Sequence, residues 1–291
     1  MTETIHQPKS SRVRRIIAFP LTLLVIEAVA VFALAIGYSF SATKLGVMDK
    51  GPLQFGGALV LAGLIVGLWK LLRRWLERSE DGEFALAGAA PELGAGLAIG
   101  FELFSVMTGM VALLGGFEVL GLRGMGALWS MLSVAVFSGV FEETLFRGVL
   151  FRHIEAMLGS WAALAITSAL FGAAHLANPG ATPFAALAVA MEAGILLGAA
   201  YLLTRRLWLA IGIHAAWNFT QGWVFSVPVS GGNAPLGLLI TRRVGPDWLT
   251  GGAFGLEASV IAMVVATGAG VVMLVLVARK GQIQPPMWRR A

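Results

Sequence analysis

Residues 126–155 read GALWSMLSVAVFSGVFEETLFRGVLFRHIE. An uncharged apolar stretch runs up to Phe141 and is then broken by Glu142, Glu143 and Arg147. About 20 consecutive apolar residues suffice to cross a bilayer as a helix. An ionisable group in such a segment costs about 2.5–3.5 kcal/mol on insertion scales, so it marks a candidate functional site. Glu143 and Arg147 are four residues apart and share a helix face, where they can pair. Glu142 points about 100° away from that face, which leaves it free to address a cavity.

Outward from this segment the same apolar character repeats at 16–40, 55–72, 93–116, 160–178, 183–204, 207–226 and 256–278. The expectation is an all-α polytopic membrane protein of about eight transmembrane helices, with an active site between the helices of a 126–226 core. Its parts are an N-terminal segment 1–15, accessory helices over 16–125, the core at 126–226, an external loop 227–255, a last span 256–280 and a tail 281–291. The Gly- and Pro-rich loop is a candidate for partial membrane re-entry, and Gln284–Ala291 reads as disordered. The first run exceeds the roughly 7–15 apolar residues of a cleaved signal sequence, so it reads as a retained span.

Composition agrees. The 291 residues are 57% hydrophobic and 13% charged, against about 25% charged in soluble domains. Cysteine is absent, which excludes disulfides and thiolate metal sites. The net charge of +5 comes from basic residues flanking apolar runs, which argues for membrane orientation and against nucleic-acid binding. Arg12, Arg14, Arg15, Lys70, Arg73, Arg74, Arg78, Arg205, Arg206, Arg279 and Lys280 fall on one side of an eight-span arrangement, with Lys9, Arg152, Arg289 and Arg290. Lys44, Lys50, Arg123, Arg242 and Arg243 fall on the other. Both termini are therefore expected in the cytoplasm, with lipid as the surrounding partner.

Two further polar clusters interrupt apolar runs: Phe171-Gly-Ala-Ala-His175 and His214-Ala-Ala-Trp-Asn218. Each again places two residues four apart on one face. Helices 126–155 and 160–178 joined at Gly159–Ser160 put Glu142 and His175 at nearly equal heights. His214 and Asn218 can join them, and the four are expected to converge in the cytoplasmic half of the bilayer. His6 and His153 read as solvated. Glu27, Glu102 and Glu192 read as helix-bonding or cavity-lining acids, and they are also the argument for a proton-coupled transporter. Gly96-x-x-x-Gly100 and Gly194-x-x-x-Gly198 suit close helix packing.

Glu142-Glu143-x-x-x-Arg147, Phe171-x-x-x-His175 and His214-x-x-x-Asn218, in this order and in three separate apolar segments, resemble the CPBP family of intramembrane proteases, which includes CAAX prenyl endopeptidases and bacteriocin-processing or immunity proteins. The resemblance covers about 126–226. It implies cleavage of a peptide bond near the cytoplasmic face, in a prenylated or bacteriocin-like peptide substrate. Glu142, His175, His214 and Asn218 would be catalytic, supported by Glu143, Arg147 and Phe171. In a metal-free mechanism Glu142 activates water with help from His175, while His214 and Asn218 bond the oxyanion. In a metal mechanism Glu142, His175 and His214 would hold zinc. The metal-free form is preferred, because asparagine is an unusual zinc ligand and Arg147 adds positive charge. The short loops and Ala/Gly-rich spans suggest a prokaryotic cell membrane. A non-proteolytic scaffold or immunity protein is the alternative.

Overall fold

The computed structural model describes residues 12–47, 51–79 and 82–290. Each of the eight apolar runs is helical: α1 (Pro20–Lys44), α2 (Pro52–Leu72), α3 (Ala89–Leu113), α4 (Leu128–Phe137, continuing to Leu158), α5 (Ser160–Ala174), α6 (Pro183–Val189, continuing to Thr204), α7 (Trp208–Phe219) and α8 (Val260–Arg279). Prolines stand at the first turns of α1, α2 and α6, where the missing N–H costs no hydrogen bond. Among the described residues, six helices are long and apolar enough to cross a membrane, namely α1, α2, α3, α5, α6 and α8. The protein is therefore polytopic. The helices outside that set, α4 and α7, carry Glu142 and His214. There, apolar character was given up for polar groups or length.

α3 and α7 cross with their backbones in contact. A Cβ on Gly96 would collide with Leu209 O, and one on Gly100 would collide with Ile213 O. A Cβ on Gly212 would meet Gly96 Cα at 2.9 Å from the other side. The Gly96-x-x-x-Gly100 pattern thus sets the position of the helix that carries His214. Phe104 packs edge-on against Trp217 at 5.2 Å, which makes Trp217 a packing residue. Gly194 and Gly198 play the same part between α6 and α5, against Ser168 and Leu164.

The wholly helical expectation misses a two-stranded antiparallel sheet. β1 (Phe117–Leu122) follows α3, and β2 (Leu239–Arg243) lies in the expected external loop; Phe117 pairs with Arg243 and Val119 with Thr241. Each strand is too short to stand out in sequence, and the pair forms only because the ends of α3 and α7 are brought together. The loop itself packs inward. Val227, Phe254 and Leu256 are buried, and Gly231, at φ +80°, passes so close to Pro179 O that any side chain would collide with it.

The opposite end of the bundle holds a buried ion network. Arg152 bonds Glu77 at 2.6 Å and Glu27 at 2.8 Å, and His153 Nε2 lies 2.9 Å from the same Glu27 oxygen. His153 is thus buried rather than solvated, and Glu27 is an ion-pair partner of α4. Glu102 is exposed on the outward face of α3, roughly 200° around the helix from Gly100, which points it away from the packed helices. The tail is ordered as far as Arg290: Ser160 N donates to Gln284 O at 3.0 Å, Gln284 N donates to Ser160 Oγ at 2.8 Å, and Arg290 Nη2 donates to Glu155 O at 2.8 Å. Composition suggested disorder, but these bonds satisfy the turn between α4 and α5. The expectations for His6, Lys9 and Lys50 fall outside the described residues.

Replacing Gly100 by leucine forces α3 off α7 and is expected to lower stability by about 1–3 kcal/mol, the usual cost of overpacking. Gly63→Ala, at a helical position with open space around it, leaves the melting temperature in detergent unchanged or slightly raised. Thermal unfolding of the two variants beside the parent checks this.

Candidate active site

The site is built on α4, α5 and α7 around one buried carboxylate. Glu143 is fully buried, and its Oε1 accepts from Arg147 Nη1 at 2.9 Å and from His214 Nδ1 at 2.8 Å. The i, i+4 spacing brings Arg147 back onto Glu143 within α4, while His214 arrives from α7. Arg147 also donates through Nη2 to Ala193 O at 2.9 Å. Ala193 belongs to a π-type turn, Ala190–Gly194, inside α6; such a turn displaces backbone carbonyls from the regular ladder. The guanidinium stacks 4.9 Å from the Phe171 ring. Phe171 in turn lies 4.8 Å from His175 and 6.0 Å from His214, so it holds both imidazoles in place.

A carboxylate and a carbonyl oxygen can only accept, which assigns the histidine tautomers. His214 donates Nδ1–H to Glu143, and His175 donates Nδ1–H to Phe171 O at 2.7 Å. Both rings therefore present Nε2 away from their anchors. His214 Nε2 lies 3.9 Å from Glu142 Oε2. Glu142 has 22% side-chain exposure, whereas Glu143 has none; the two neighbouring acids occupy different environments. Asn218, one turn beyond His214, donates Nδ2–H to Ser138 Oγ at 2.9 Å. Ser138 carried no signal in the sequence, being one small residue in an apolar run.

Glu142, His175, Asn218 and Ser138 line one open cavity of about 430 Å³, with Asn178, Pro179 and residues 229–235. Adjoining it, a smaller cavity of about 40 Å³ is lined by His175, His214, Asn218, Glu192 and Glu257. That volume accommodates two or three waters, at about 10–15 Å³ each by the same measure. Glu192 is buried, and its Oε2 has no protein partner. Of the three acids that suggested a transporter, it alone reaches this region. Glu257, at the start of the expected last span, lies before α8 in an irregular segment far from any motif and was missed; the Ser230 N–H donates to it. A third cavity, apolar and about 460 Å³, opens sideways between α1, α2 and α4 and shares Val134 and Phe137 with the open one.

All seven residues singled out in the sequence are thus brought into one neighbourhood. Among the described residues, none of those lining these two cavities belongs to the turns at the arginine-rich end of the bundle. The motif residues stand well along α5 from Ser160, and the loops that reach them belong to the other end. As for zinc, Nε2 presentation with Nδ1–H anchored is an arrangement that metal-ligating histidines use. The donor atoms of Glu142, His175 and His214 do not, however, gather within 4.8 Å of one another. Among the described residues only Glu27, Glu77 and His153 do so, and Arg152 already neutralises those acids. The donors as placed do not fit a metal.

Residues 124–220 match the family model of type II CAAX prenyl endopeptidase, Rce1-like. The matched segment, about a third of the chain, runs from just before α4 to the end of α7 and holds every motif residue, so this part resembles a domain of that family. Comparisons with curated proteins and with solved structures returned no match.

Two outcomes test the site's electrostatics. Breaking the buried pair by Arg147→Met is expected to cost about 3–5 kcal/mol, because it leaves Glu143 charged and uncompensated. Adding Glu143→Gln to that variant recovers most of the loss, read as melting temperature. Burial pushes the Glu257 carboxyl up to about 7, against the opposing pull of Ser230 and Gln221. The folded state thus holds this proton more tightly than the unfolded one, so the stabilisation is complete below about pH 4.3. It is lost as pH rises through about 7. Between pH 5 and 7.5 the parent's melting temperature should fall more than that of Glu257→Gln.

Proposed function

We propose that this protein is an intramembrane endopeptidase that hydrolyses a peptide bond in a membrane-associated peptide or protein, using a water activated by Glu142. It sits in a cell membrane with both termini in the cytoplasm. The observation that carries the reading is the half-buried Glu142 beside His214 Nε2 at 3.9 Å, at an open cavity also lined by His175 and Asn218. The match of residues 124–220 to the CAAX prenyl endopeptidase family model supports it.

In this reading a water bound at the mouth is oriented by the lone pair of His175 Nε2 and gives its proton to Glu142 as its oxygen adds to the scissile carbonyl carbon. The developing oxyanion takes a hydrogen bond from the second Asn218 Nδ2–H, the first being held by Ser138. His214 adds another through Nε2 in its doubly protonated form. Glu142 then returns the proton to the departing nitrogen as the C–N bond breaks, so the enzyme ends as it began. Glu143, Arg147 and Phe171 do no chemistry; they fix the direction of both imidazoles. Low-dielectric surroundings strengthen each of these interactions relative to water.

Cleavage of a fluorogenic peptide library by the purified protein tests this. Glu142→Gln is expected to lower the rate by about 10²–10⁴-fold and Asn218→Ala by about 10²–10³-fold, both with melting temperatures near the parent's. A chelator leaves the parent's activity intact. Chelator-sensitive activity restored by added metal would move the reading to a metal site, and a folded Glu142→Gln that still cleaves would end it.

A further inference from the structure

Two buried acids that the proposed reaction leaves idle line the smaller cavity beside the mouth. Glu192 comes to it from the π-type turn of α6, with Oε2 lacking a protein partner. Glu257 comes from the irregular segment before α8, and its Oε1 accepts from the Ser230 N–H. Ser230, His175 and Asn218 line both this cavity and the open one, so the two acids adjoin the residues of the mouth. An ionised carboxylate buried without a partner costs several kcal/mol, and two facing one small volume resist ionising together. Holding a proton or a cation there relieves both costs. A metal is the poorer occupant: among the described residues, no three His, Asp or Glu donor atoms at this cavity gather within 4.8 Å. A proton needs only the carboxyls and the two or three waters that the volume admits.

His214 is where such a proton has a use. Its Nδ1–H is committed to Glu143 at 2.8 Å, and its Nε2 lies 3.9 Å from Glu142, beyond hydrogen-bond range. Glu142 must in any case stay ionised to act as the base. The second proton that His214 carries when it bonds the oxyanion therefore comes from elsewhere. His214 lines the smaller cavity, where water links it to Glu192 and Glu257. The other charged or titratable groups around its ring are Glu142, Glu143 and Arg147 from α4 and His175 from α5. Arg147 neutralises Glu143. Asp247, on the short helix Asp247–Thr250 next to the Glu257 segment, lines a different cavity. Burial holds the Glu257 carboxyl up at about 7, so this group exchanges its proton near neutral pH.

We propose that Glu192 and Glu257 form a proton-holding pair that, through water in the smaller cavity, supplies and takes back the second proton of His214. As the oxyanion forms, one proton passes from the pair by way of water to His214 Nε2. It returns when the C–N bond breaks and the oxyanion collapses, so none is gained or lost. The two acids touch neither substrate nor reacting atoms; they are positioning residues for the charge on the imidazole. The use of that charge rests on the peptidase reading, but the coupling is measured without cleavage. The chain has four histidines, so nitrogen-15 NMR of the purified protein, assigned by single histidine replacements, follows each ring. In the parent, His214 is expected to titrate in two steps, as a site coupled to another by more than about one pK unit does. In Glu192→Gln and in Glu257→Gln the upper midpoint moves down by about one pH unit, because a carboxylate that favoured the cation is gone. Glu102→Gln, on the outward face of α3, leaves it in place. A single-step titration in the parent, or an upper midpoint unmoved in either folded variant, overturns the pair. In turnover, the alkaline limb of kcat/KM moves down with the same midpoint, so that above the parent's limb each variant is about tenfold slower. A merely structural role lowers the rate alike at every pH, and an alkaline limb shared by parent and variants overturns the role in turnover. A purified protein that cuts no peptide counts against the peptidase reading alone, since the titration of His214 still decides whether the pair and the imidazole are coupled.

Discussion

The structure depends on the burial of one carboxylate. Glu143 lies fully inside an apolar bundle, where an isolated charge costs several kcal/mol. It persists because Arg147 neutralises it from within α4 and His214 bonds it from α7. Those two contacts lock the helices in rotation as well as distance. Arg147 extends the lock to α6 through Ala193 O, so three helices are fixed by groups that have no alternative partner in lipid. The neighbouring acid, Glu142, points elsewhere and remains partly solvated, and the proposed function assigns the chemistry to it.

Wider turns sharpen this arrangement. α4, α6 and α7 each contain a π-type turn at the site, at Ser138–Glu142, Ala190–Gly194 and Thr220–Val224. Such a turn inserts residues without ending the helix and re-aims the side chains that follow. In α4 it separates Ser138, which holds Asn218, from Glu142, which faces the mouth. In α6 it leaves a carbonyl for Arg147 and turns Glu192 into the smaller cavity. Close contact of α3 with α7 through Gly96 and Gly100 backs the whole assembly, because α7 cannot retreat from α4 without parting two backbones.

Stability and access are placed at opposite ends. The arginine-rich end is closed by the Glu27–Arg152–Glu77 network and by the tail bonded to Ser160 and Glu155. The other end is made of irregular loops and one short sheet, held by glycine contacts and by Glu257 under Ser230. Under the proposed function, the protein must admit water and substrate without loosening its helices. Here the opening is confined to the half that carries little of the ion-pair network.

The sequence by itself determined the helical runs, the pairing of Glu143 with Arg147, the shared faces of Phe171 with His175 and of His214 with Asn218, and the glycine crossing. All of these follow from helical periodicity and from the cost of polar groups in lipid, which act over a few residues. Only the tertiary structure decided that His214 bonds Glu143, that His153 is buried against Glu27 across 126 positions of chain, and that Glu192 and Glu257 share a cavity with the motif histidines. It also decided that the tail is ordered, that two short strands pair, and which end of the bundle the site faces. Each of these depends on groups distant in the chain finding one another, and a polar residue's need for a partner does not say where that partner lies.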